Sequence, residues 1–62
     1  MLYSKIKAIC KDKNISVAAV ERESGLSNGT ISKWNDVSPT VGNLTAVAKT
    51  LGISVATLMK DD

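Results

Sequence analysis

Val20-Glu21-Arg22-Glu23-Ser24-Gly25-Leu26-Ser27-Asn28-Gly29-Thr30-Ile31 has at its centre a three-residue unit, Gly25-Leu26-Ser27, that the chain writes twice more, as Asn14-Ile15-Ser16 and Gly52-Ile53-Ser54. Each copy is able to close one helix and open the next. Gly or Asn tolerates the left-handed conformation that ends a helix, the apolar residue folds back on the last turn, and Ser caps the new N-terminus through its hydroxyl. The apolar residue also stands at the N′ position of the following helix, where a hydrophobic staple needs an apolar partner at N4. The chain supplies Val20, Ile31 and Leu58 at those positions.

Outward from these joints, apolar spacing sets the remaining elements. At 100° per residue, Leu2, Tyr3, Ile6, Ile9 and Cys10 fall within an arc of about 120°, which predicts a first helix over residues 2–13. The second runs from Val17 to Ser24 and the third from Asn28 to Asn35. Asp36-Val37-Ser38-Pro39 is a turn-rich connection, and Thr40 is a fitting N-cap for a fourth helix whose stripe is Val41, Leu44, Val47, Ala48 and Leu51. Gly52 stops it. A short fifth helix from Val55 to Lys60 presents Val55, Leu58 and Met59. Asn28-Gly29 is a strong hairpin-turn signal, but neither flank alternates apolar and polar residues, so a helix is expected there instead. The fold class read from this pattern is all-α, a compact five-helix bundle forming a single domain over residues 1–62.

Composition excludes several kinds of chemistry. With no Phe and a single Trp, the core must be mainly aliphatic, with Trp34 its largest piece. One Cys and no His permit neither an internal disulfide nor a zinc site, so no metal and no cofactor is expected. Glu21 and Glu23 are two apart on a helix and point to different faces, which rules them out as a catalytic pair. Cys10 lies in the apolar arc of the first helix and reads as a small buried hydrophobe. No catalytic residue and no small-molecule substrate are expected. Lysines interrupt the apolar residues near the N-terminus, so neither a signal peptide nor a membrane span is read, and the expected location is cytoplasmic. The net charge of +2 is too small to identify a polyanionic ligand by itself. Residues 1–13 carry Lys5, Lys7, Lys11 and Lys13 against Asp12, a local balance of +3, and Asp61 and Asp62 place negative charge at the other end.

The expected third helix has two faces. Ile31 and Trp34 share one side, while Asn28, Gly29, Ser32 and Lys33 form an arc almost opposite. Two short helices joined by a three-residue turn, the second of them polar on its outer face, have the form of a DNA-reading helix-turn-helix. Asn is able to bond adenine N6 and N7 together, Lys reaches guanine or a phosphate, and Ser serves either class of base. Gly29 fits a close backbone approach to the ligand. The helix N-termini add candidate phosphate sites at Ser16 and Val17 and at Thr40, Gly42 and Asn43.

At these residues the chain resembles the Cro and repressor-type helix-turn-helix family of phages and bacteria. The likeness covers nearly the whole chain, through Ile15 to Asn35 and again through Leu44-Thr45-Ala46-Val47-Ala48-Lys49-Thr50-Leu51-Gly52-Ile53-Ser54. It implies a five-helix DNA-binding domain that meets a double-stranded operator as a two-fold homodimer and regulates transcription, often of prophage genes. It makes Asn28, Gly29 and Lys33 base-facing with Ser32 beside them, and has Ser27 cap the third helix and touch phosphate. Two positions depart from the family pattern. Val17 stands where a phosphate-binding Gln is common, leaving only a backbone amide to offer. Glu21 stands where a small Ala usually packs, and so needs a partner, for which Lys33 or a neighbour of Arg22 is the expectation. The chain resembles the minimal single-domain form. The alternative is a protein-interaction module on the same fold, such as an antitoxin or co-regulator, with Val37, Val55 and Met59 as contact residues.

Overall fold

The computed structural model describes residues 1–60. Its three repeated units fold alike at their first two positions. Between α1 (Leu2–Asp12) and α2 (Val17–Glu23), Asn14 has a φ of 58°; its amide donates to the Lys11 carbonyl at 3.1 Å and the Ile15 amide to the Cys10 carbonyl at 2.9 Å. After α2, Gly25 donates to Arg22 at 3.2 Å and Leu26 to Glu21 at 2.8 Å. Between α3 (Val41–Leu51) and α4 (Val55–Met59), Gly52 donates to Lys49 at 3.1 Å and Ile53 to Ala48 at 3.0 Å. Each pair is the double bond of a Schellman ending, which satisfies carbonyls that the helix leaves open. Ile15, Leu26 and Ile53 pack, half-buried, on the core that contains Val20, Ile31 and Leu58.

The third position of the unit divides the copies. The Ser16 hydroxyl accepts the Ala19 amide at 3.0 Å and the Ser54 hydroxyl accepts the Thr57 amide at 3.1 Å, both as N-caps. Ser27 does otherwise: its carbonyl, not its hydroxyl, accepts the Thr30 amide at 3.1 Å. That bond closes a β-turn with Asn28 and Gly29 at its centre. Gly29 has a φ of 90° and Asn28 no positive φ, the pattern of a type II turn.

The third helix expected over Asn28–Asn35 is therefore corrected. What forms is the β-turn, then one 3-10 turn, Ile31–Lys33, then further turns through Asp36. The Asn-Gly turn preference prevails over helix formation, although no strand flanks it among the described residues, and the five expected helices become four α-helices with a 3-10 turn between α2 and α3. The all-α class holds.

Ile6, Cys10, Val20, Ile31, Trp34, Leu44, Val47, Ala48, Leu51 and Leu58 make the buried core. Val41, placed on the apolar stripe of its helix, is 80% exposed, and Met59, named with Val37 and Val55 as a contact residue of the interaction-module alternative, is 61% exposed. Both sit in short or terminal turns, where they line a surface groove with Met1 rather than meet a facing helix. The N-terminus of α1 has no cap from Met1. Asn35 supplies one from elsewhere, its side-chain oxygen accepting the Tyr3 amide at 3.0 Å while its amide nitrogen donates to the Ser4 hydroxyl at 3.3 Å. Ser24 and Thr50 hydroxyls, 2.9 Å apart, join the end of α2 to α3. Lys7, Lys11 and Lys13 are exposed, and Lys5 donates to the Lys60 carbonyl. Asp61 and Asp62 lie outside the described residues. No helix among the described residues is long and apolar enough to cross a membrane.

Candidate nucleic-acid interface

The residues singled out as base-facing sit on one short segment anchored from below. Ile31 is fully buried and Trp34 is 6% exposed, while Ser27, Asn28, Ser32 and Lys33 are exposed and Gly29 is half-buried. Two apolar anchors three residues apart thus hold a polar ridge toward solvent, as expected, although the backbone is a turn and not an α-helix. Asn28 and Lys33 present a side-chain amide and an ammonium. The Ser32 hydroxyl donates to the Gly29 carbonyl at 2.7 Å and keeps its acceptor capacity outward.

Gly29 takes a left-handed backbone conformation in the turn. Its amide donates to Glu21 and its carbonyl accepts the Ser32 hydroxyl, which leaves the carbonyl one further acceptor position. A Cβ placed there meets nothing within 4 Å. The positive φ, not crowding, accounts for glycine at this position.

Beneath the ridge lies Glu21, the one buried charged side chain among the described residues, at 3% exposure. One carboxylate oxygen accepts the Gly29 amide at 3.1 Å and the other the Ile31 amide at 2.8 Å. Backbone amides, rather than the expected Lys33 or a neighbour of Arg22, are its partners. Burying a carboxylate is costly unless hydrogen bonds replace its water, and two charge-assisted bonds do so here. No buried side-chain nitrogen or oxygen among the described residues lacks a partner. A signal for this role was present in the sequence, as an acid on the packed face of a short helix followed by a turn rich in open amides. Asn35, the residue that caps α1, carried no such local signal because its partners are 32 and 31 residues away.

The candidate phosphate residues form two helix starts. At α2, the Ser16 hydroxyl oxygen accepts the Ala19 amide and keeps its O–H to donate, and the half-buried Val17 brings its backbone amide. At α3, the Thr40 hydroxyl accepts the Asn43 amide at 3.1 Å, so the Asn43 backbone is committed and the exposed Gly42 amide remains. Ser27 is exposed and is not a side-chain cap.

Residues 5–62 match the Cro/C1-type HTH DNA-binding domain. The fold is similar to that of the P22 c2 repressor, crystallised in complex with the synthetic operator 9T in the presence of Tl+. The TM-score is 0.86 with 34% identity, over 100% of this chain and 97% of the repressor chain. No curated protein matches significantly.

Proposed function

This chain belongs to the Cro/C1-type helix-turn-helix DNA-binding family, and from that premise we propose that it is a sequence-specific transcriptional regulator that reads a double-stranded operator through the segment from Ser27 to Lys33. The observation that carries this reading is the exposed polar ridge set on buried Ile31 and Trp34. Asn28 and Lys33 read base edges in the major groove, with Ser32 and Gly29 beside them. Phosphates are met at Ser16, Val17 and Ser27 and at Thr40, Gly42 and Asn43, where side chains and amides position the protein without reading sequence. The P22 c2 repressor, similar over the whole chain, was crystallised with an operator.

A homodimer on DNA follows from the same reading, since a two-fold protein matches a two-fold site. Exposed Met1, Val41 and Met59 line one groove with Leu2, Ile9 and Leu58, an apolar surface suited to a second copy. Selection of bound sequences from random duplex DNA tests the function: a pseudo-palindrome with half-sites about one helical turn apart is the expected product. Enrichment of no sequence would overturn the proposal.

A further inference from the structure

The bonding of Glu21 carries an inference that rests on the operator-reading function and goes beyond it. In an α-helix starting after Ser27, the Ile31 amide would donate to the Ser27 carbonyl four residues back. Both groups are diverted here. The Ser27 carbonyl accepts from Thr30, and the Ile31 amide goes to the Glu21 carboxylate at 2.8 Å. The second carboxylate oxygen takes the Gly29 amide at 3.1 Å, which holds the glycine where its φ is 90°.

We infer that Glu21 is a positioning residue that keeps the reading segment in its turn form and so determines which bases Asn28 and Lys33 reach. Glu21 itself is buried beneath the ridge. Its two amide partners bracket Thr30 and lie between the two readers, Gly29 next to Asn28 and Ile31 two residues before Lys33. Removing the carboxylate frees both amides, and the Ile31 amide then finds the Ser27 carbonyl as its nearest backbone acceptor by helical connectivity. The segment coils toward the helix that its spacing favours, and Asn28 and Lys33 change their separation and direction. An offset of this kind costs specific contacts, whereas phosphate attraction tolerates it.

The test compares the wild-type chain with Glu21→Ala and Glu21→Gln. It uses the duplex that the wild type selects, a random duplex of equal length, thermal melting, and carbon chemical shifts over residues 28–35. With Glu21→Ala the affinity for the selected duplex falls about tenfold or more, affinity for random duplex stays within about twofold, and the shifts move toward helical values. Glu21→Gln keeps one acceptor oxygen and turns a donor on the other amide. It gives a smaller loss of the same kind, and serves alone if the alanine variant does not fold. Unchanged preference, or specific and random affinities falling together, overturns the inference. A wild-type chain that selects no duplex overturns the operator reading first, and is distinguished by failing before any variant is compared.

Discussion

The side-chain oxygen of Asn35 accepts the backbone amide of Tyr3 at 3.0 Å, so the first turn of α1 is capped by a residue 32 positions further along the chain. The same side chain donates to the Ser4 hydroxyl. Asn35 thereby does for α1 what Ser16 and Ser54 do for their own helices. Replacing it with Ala should lower stability by about 1 kcal/mol in a denaturant titration, the usual worth of an N-cap. Asn35→Asp keeps the acceptor, suits the positive end of the helix dipole, and should recover most of the loss; equal destabilisation by both variants would refute the capping role.

Asn28→Ala should cost about 1–3 kcal/mol against the selected duplex and relax discrimination at one base pair, leaving affinity for random duplex unchanged. Fluorescence anisotropy titrations on both duplexes decide the matter. Equal losses on the two would mean that Asn28 does not read bases.

Lys33 is exposed at the end of the same ridge. As a base reader, Lys33→Ala should reduce preference between duplexes while leaving the slope of log affinity against log salt unchanged. A slope lowered by about one, with preference intact, would reassign Lys33 to a phosphate.

Gly29→Ala places a side chain at a φ of 90° with open space around its Cβ. The cost is then conformational, about 1–2 kcal/mol, and Gly29→Asn should lose less because Asn tolerates the left-handed region. A melt in which Ala and Gly are equivalent would contradict the turn geometry.

Burial pushes the Cys10 thiol above its ordinary value of 9.0. The folded chain therefore holds that proton more tightly than the unfolded chain does. The associated stability is complete below the unfolded value and declines as pH rises past about 9.0 toward the folded one. Cys10→Ala should flatten this alkaline decline in unfolding titrations. At neutral pH, alkylation of Cys10 should be slow in the folded chain and fast in denaturant.

The joints were readable because they depend on residues adjacent in sequence. Asn14, Gly25 and Gly52 each take the left-handed conformation, with the same two bonds beside them. The buried side of the ridge was equally plain in the spacing of Ile31 and Trp34. Three features were not. The form of residues 28–35 depends on a carboxylate eight and ten positions earlier competing for their amides, and local preference for a helix carries no account of that competition. Val41 kept the helical spacing of core residues, yet it stands exposed at the first position of α3. Asn35 acts on the far end of the chain. Position in the fold, not residue type, decides all three.

Trp34, the sole indole of the chain, is 6% exposed and follows Lys33 directly. Its emission should be blue-shifted in the native protein and move red on unfolding. Because the fluorophore sits under the tip of the proposed reading ridge, the molecule also carries its own optical reporter of docking, with no dye needing to be attached.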